Sequence, residues 1–258
     1  MGRKKRKLEQ PCCYHITHRC QERRFLFKRG LDRWNYVRRL RQMVEEYEVD
    51  VLNYIVTSNH VHVLLFAKKA ADVSAALHFL QGTTAGDYNR RLKREGAFWR
   101  GRYHPTLIEK GRHLGSCVFY IDLNMVRAGV VEHPVEWMAS GHHELSGRRQ
   151  RYTLLNIPQL IRCMGHDPEI EGSLEQFRDW YTNTLDEKLA ETYHVREPFW
   201  SEASAIGSEA FVTELAGTRL SSRIEKIPGL TIGEENPLYQ LILSSREKSA
   251  LWARQQRK

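Results

Sequence analysis

Residues 13–19 alternate apolar and polar positions, the period of two that predicts a strand. A charged connector over Gln21–Phe27 follows. From about Asp32 to Tyr47 the apolar positions Trp34, Val37, Leu40, Met43, Val44 and Tyr47 fall at helical spacing. Asp32 is placed to cap that helix, because its carboxylate can accept from the free amides of the first turn. Val51–Thr57 is a β-branched run and predicts a second strand. The polar bend Ser58-Asn59 leads into a third strand over His60–Ala67. Residues 72–94 predict a second helix, with Asp72 as cap and Val73, Ala76, Leu77, Leu80 and Tyr88 as its buried stripe. A turn at Trp99-Arg100-Gly101-Arg102 precedes an extended segment around Thr106–Ile108. A third helix is expected from Gly111 to Val131, broken near Gly129.

The order strand–helix–strand–strand–helix–strand–helix predicts an α+β fold. It is the split βαβ, ferredoxin-like arrangement, an antiparallel sheet with helices packed on it. Three regions are expected: a basic N-terminal arm over 1–10, the α+β unit over 11–146, and an accessory region over 147–258. The polar stretch Ser146–Arg151 marks the change. Beyond it, amphipathic segments at 157–164, 172–184, 208–217 and 237–253 predict a mainly helical C-terminal region.

Charge changes the picture. The chain of 258 residues carries a net +9, but unevenly. Residues 1–150 hold 27 Lys and Arg against 15 Asp and Glu, whereas the remainder is slightly acidic. Such a basic half points to a polyanionic partner, most simply nucleic acid. The basic runs Arg3–Lys7, Arg19–Arg41 and Arg90–Arg102 interleave with Phe25, Phe27, Trp34, Tyr36, Tyr88, Phe98, Trp99 and Tyr103. Aromatic rings beside arginines are what unpaired bases stack on. No run of eighteen apolar residues predicts a membrane span, and no apolar stretch follows the N-terminal basic run, so the expected location is the cytoplasm. Five cysteines without a C-x-x-C pair suit a reducing compartment.

The chemistry concentrates at His60-Val61-His62. Side chains alternate along a strand, so the two imidazoles share a face about 7 Å apart at Cα and can grip one metal ion. Downstream, Tyr120, Asn124 and Arg127 sit at i, i+4 and i+7 and share a helix face. Metal-assisted phosphoryl transfer needs a divalent cation, an in-line nucleophile and donors that position the backbone. His60, His62 and Asn124 could supply the ligands, for Mg2+ or Mn2+. Tyr120 could be the nucleophile. Arg19, Arg100, Arg102 and Arg127 are the candidate DNA contacts. His15 and His18 read as strand residues near the DNA rather than ligands, and His142-His143 as solvated or individually packed.

Four segments together resemble the IS200-like single-tyrosine HUH transposases, and most closely their REP-associated branch. They are Tyr14–Arg19, Ser58–Leu65, Phe98–Tyr103 and Tyr120–Val130, in order across roughly residues 10–145. Glu197–Trp200 and Ile206–Phe211 resemble a weaker signature of the same branch. The resemblance implies a ferredoxin-like HUH nuclease domain that cuts and rejoins single-stranded hairpin DNA. Tyr120 would form a 5′-phosphotyrosine link, with His60 and His62 as metal ligands. Asn124 stands where insertion-sequence relatives carry Gln, and Met125 where the REP-associated pattern carries Pro. The long C-terminal extension favours the REP-associated branch, and with it a monomer over a homodimer. Two other readings use the same residues: a DNA-binding regulator that makes no cuts, and a metal-dependent hydrolase acting through activated water.

Overall fold

The computed structural model describes residues 11–190, 197–217, 222–231 and 237–243. The N-terminal arm over 1–10 lies outside the described residues. The first half runs β1 (Cys12–Arg19), α1 (Gly30–Glu46), β2 (Val49–Val56), β3 (His60–Ala67), α2 (Ala70–Leu92), β4 (His104–Ile108), α3 (Arg112–Asp122) and α4 (Asn124–Arg127). Its four strands lie in the order β2-β3-β1-β4, each antiparallel to its neighbours. That is the split βαβ arrangement expected from the sequence. No helix among the described residues is long and apolar enough to cross a membrane.

Central β1 is buried from Cys13 to His18, on both faces. One face, carrying His18, packs against α1: His18 stacks on Trp99, whose ring also meets Tyr36 of α1. The other face carries His15 and Thr17. Thr17 stands opposite His62 and Arg19 opposite His60, so these side chains share that face. Covering both faces explains why β1 shows little contrast between its two sets of positions.

Two expected caps are absent. The first residues before α1 and α2 are Arg29 and Lys69, and neither helix has a side-chain cap. Asp32 is instead buried and paired with Arg91 of α2. A buried carboxylate needs a charged partner more than an exposed helix end needs a cap. The third helix breaks at Leu123 rather than near Gly129. The break is slight, because the Leu123 N–H still donates to the Phe119 carbonyl and the Arg127 N–H to the Leu123 carbonyl.

The C-terminal part comprises α5 (His142–Leu145), α6 (Ile157–Cys163), α7 (Ser173–Ala190), α8 (Phe199–Glu202), β5 (Ala205–Gly207), α9 (Glu209–Gly217), β6 (Ser222–Thr231) and β7 (Pro237–Leu243). Expected to be mainly helical, it is partly helical and also extends the sheet to β2-β3-β1-β4-β5-β7-β6. The helix expected over 237–253 is a strand over Pro237–Leu243, and its remainder lies outside the described residues. A short apolar run fits either period, and the free edge of the sheet decides in favour of strand. β5 runs parallel to β4, pairing Leu107 with Ala205 and Ile108 with Ile206.

A buried polar chain braces α3. Asn53 donates to Asp122 at 3.1 Å and to the Val118 carbonyl at 3.2 Å. Tyr181 of α7 donates to Asp122 at 2.8 Å, and His142 lies 2.7 Å from the Tyr181 hydroxyl. His142 and His143 are thus buried, not solvated. Gly141 makes room, since a Cβ there would fall 2.2 Å from Asn53 Oδ1. Burial pushes the Asp122 pKa from 3.8 up to about 7, against the opposing donors Asn53 and Tyr181. Between those values the folded chain holds a proton that the unfolded chain has released. The associated stability is therefore full at low pH and lost as pH rises through about 7. Asp122→Asn cannot ionise. In urea unfolding at about pH 5 and about pH 8, the wild type is expected to lose more stability between the two than Asp122→Asn, by roughly 2 kcal/mol. Equal losses would show that burial does not govern this carboxyl.

Candidate active site

The turn before β3 positions His60. The Thr57 hydroxyl donates to the His60 carbonyl at 2.8 Å. Asn59 Nδ2 donates to the Arg23 carbonyl, which turns its Oδ1 toward His60 Nδ1 at 2.7 Å. Amide oxygen only accepts, so His60 carries its proton on Nδ1 and keeps the Nε2 lone pair free. Two residues on, His62 is 1 % exposed, its ring centroid 5.0 Å from that of His60 and nearly perpendicular to it. Burial first, then neighbouring positive groups, depress both imidazoles. His60 falls to about 4 and His62 well below the ordinary value. Both are neutral at pH 7, the form that ligates metals.

Tyr120 faces them from α3. Its ring centroid lies 5.6 Å from His62 and 5.7 Å from His15, edge-on to both. Trp200 of α8 stacks on the same ring at 5.5 Å. The Arg127 guanidinium sits 4.3 Å from the ring centroid and donates to the Tyr120 carbonyl at 2.5 Å. The phenol is 3.3 Å from the Ser201 hydroxyl. Burial raises the Tyr120 pKa, and Ser201 and Arg127 only partly offset that. The resting phenol is therefore protonated, and attack requires its proton to leave.

Asn124 closes the group, with Nδ2 3.2 Å from His62 Nε2. The shorter side chain thus reaches the histidines. Among the described residues no group of three or more His, Cys, Asp or Glu is placed to hold a metal ion. The donor set is two neutral imidazoles and one amide. It fits a divalent ion that also takes water and substrate oxygens, as Mg2+ and Mn2+ do.

The candidate DNA contacts separate into two places. Arg19, Arg100 and Arg102 line a cavity of about 250 Å³ with Thr17, Arg23, His104, Ser201 and Glu202. Through Ser201 that cavity adjoins the Tyr120 hydroxyl. Arg127 lies outside its wall, on the tyrosine ring. Sequence reasoning missed four participants: His15, Arg23, Trp200 and Ser201. His15 is fully buried, with Nε2 2.8 Å from His62 Nδ1 and Nδ1 2.9 Å from the Trp200 carbonyl. The available signal was its place two residues before Thr17 on a strand that pairs with the His60–His62 strand.

Residues 9–124 match the family described as transposase IS200 like. Over this segment, a little under half of its length, the chain is similar to the IS200-like transposase family. The matched segment contains both strand histidines and ends at Asn124, so it spans the histidines, the tyrosine and the amide. Solved structures similar to the chain include a REP-associated tyrosine transposase bound to a REP hairpin. The two share 16% identity, over 57% of this chain and 87% of that one, with a TM-score of 0.47. Another is a structure from Deinococcus radiodurans R1 assigned as a transposase, at 17% identity over 40% of this chain and 84% of that one, with a TM-score of 0.33. No curated protein matches the chain. For this IS200-like site, Asn124→Ala is expected to weaken Mn2+ binding by roughly tenfold or more in calorimetric titration, and Asn124→Gln to recover most of it. Unchanged affinity in Asn124→Ala would remove Asn124 from the ligand set.

Proposed function

We propose that the chain is a metal-dependent tyrosine transposase that cuts and rejoins single-stranded, hairpin-forming DNA. The observation that carries this reading is the meeting, within one chain, of Tyr120 with the paired imidazoles of His60 and His62 and the amide of Asn124. The basic cavity around Arg19, Arg100 and Arg102 supports a nucleic-acid substrate. The similarity of residues 9–124 to the IS200-like transposases supports transposition as the reaction, and the four sequence blocks favour the REP-associated branch.

In the proposed step the Tyr120 oxygen attacks a backbone phosphorus. The bond from phosphorus to the 3′ oxygen breaks, leaving a 5′-phosphotyrosine and a free 3′-hydroxyl. The phenolic proton passes to solvent and the departing oxygen takes one up, so the step is balanced. A second 3′-hydroxyl reverses it and joins the strands without an external energy source. A divalent ion at His60, His62 and Asn124 would supply positive charge against the phosphate oxygens as charge develops. Arg127 and Trp200 both pack on the Tyr120 ring and restrict its direction, which limits the rotamers it must lose before attack. Arg19, Arg100 and Arg102 hold the neighbouring phosphates and so set the register of the strand. Because one chain supplies every group, no exchange of helices between subunits is required, and the reading favours a monomer.

The test uses 5′- and 3′-labelled hairpin DNA from the flanks of the gene, with Mn2+ or Mg2+. Wild type is expected to yield a protein-linked 5′ product on a denaturing gel, and Tyr120→Phe none. Cleavage that survives Tyr120→Phe would replace the tyrosine with activated water. Binding without cutting, across a panel of hairpins, would favour the regulator. Arg102→Ala is expected to lower affinity for all sequences alike and to reduce the salt slope by about one. An unchanged slope would take Arg102 out of the phosphate contacts.

A further inference from the structure

The buried face of β1 carries a polar relay that the family resemblance leaves without a role. It starts in the C-terminal part of the chain, 185 residues away in sequence from its first partner. His15 Nδ1 lies 2.9 Å from the Trp200 carbonyl oxygen. A carbonyl only accepts, so the proton of this contact belongs to His15 Nδ1. His15 is completely buried against the His62 imidazole, where a charged ring would have no compensating anion, so the ring is neutral. A neutral imidazole that donates from Nδ1 presents a lone pair at Nε2. That lone pair lies 2.8 Å from His62 Nδ1, which must therefore carry the proton. His62 is buried as well, and with Nδ1 protonated its lone pair sits on Nε2, the atom 3.2 Å from the donor Asn124 Nδ2. Each choice forces the next.

We propose that Trp200 and His15 are positioning residues for His62: the Trp200 carbonyl sets the His15 tautomer, and His15 in turn sets that of His62. The relay keeps the Nε2 lone pair of His62 directed at Asn124, where a divalent ion would be held. His60 reaches the same state by a separate route, through Asn59. The two ligands are thus held in matching tautomers by separate parts of the chain, a neighbouring residue for His60 and the distant Trp200 for His62. Without the relay, His62 could place its proton on either nitrogen, and the fraction protonated at Nε2 could not ligate. A hydrogen bond to the distal nitrogen also raises ligand basicity and locks the ring plane. The inference rests on the metal-site reading above, but its first readout needs neither metal nor DNA.

The experiment is a long-range proton–nitrogen correlation spectrum of the metal-free full chain labelled with nitrogen-15 histidine, assigned with His15 and His62 variants. Both residues are expected as neutral Nδ1–H tautomers, and a dominant Nε2–H form at either would overturn the relay. Two variants then separate positioning from packing. His15→Gln can place an amide oxygen toward His62 Nδ1, whereas His15→Leu fills the space with no acceptor. Mn2+ affinity is expected to fall about 10- to 100-fold in His15→Leu and to stay within about threefold of wild type in His15→Gln. Equal affinities in the two variants would reduce His15 to a packing residue and overturn the proposal. If His15→Leu does not fold, the wild-type tautomers still decide. If Tyr120→Phe still cuts DNA while both rings show Nδ1–H, the tyrosine reading falls and the relay stands.

Discussion

Pairing of β1 with β3 in a single antiparallel register determines where the reactive groups fall. Thr17 stands opposite His62 and Arg19 opposite His60, which puts His15, Thr17, Arg19, His60 and His62 on one face. A slip by one residue would send the β1 set to the face occupied by α1 and bring His18 toward the histidine pair. Burial on both faces opposes such a slip, because Ile16 and Tyr14 would then meet the polar site. The apolar packing of the sheet therefore fixes the electrostatics of the site.

Once the register is set, desolvation governs the site's chemistry. Buried imidazoles lose their protons before they lose their hydrogen bonds, so His15, His60 and His62 are neutral and directional. Directional neutral rings can be aligned through backbone carbonyls and amide oxygens, which charged rings would not need. The same desolvation keeps Tyr120 protonated at rest. The site is thus prepared to bind a cation and a phosphate. On the proposed reading, it becomes nucleophilic only when positive charge arrives to help the phenol release its proton.

Much of this could be read in the sequence, for local reasons. His60-Val61-His62 on a strand, and Tyr120, Asn124 and Arg127 on a helix, follow from periods of two and 3.6 alone. Element order gave the sheet. What escaped depended on partners distant in sequence. Asp32 has the composition of a cap, but Arg91 draws it inward. Pro237–Leu243 has helical spacing, but an open strand edge claims it. His15 looks like any polar strand residue until Trp200, far downstream, covers it. The stacking of Arg127 on the Tyr120 ring follows from the helix stripe that aligns the two residues.

β5 pairs with β4 only after most of the polypeptide exists, and α8 lies immediately before it. A nascent chain halted after α4 would already contain both ligating histidines and the tyrosine. It would lack the Trp200 ring, the Trp200 carbonyl and the Ser201 hydroxyl. Completion of the site is thereby tied to completion of translation. An unfinished product on the ribosome would hold Tyr120 without the ring that stacks on it and the hydroxyl beside its phenol.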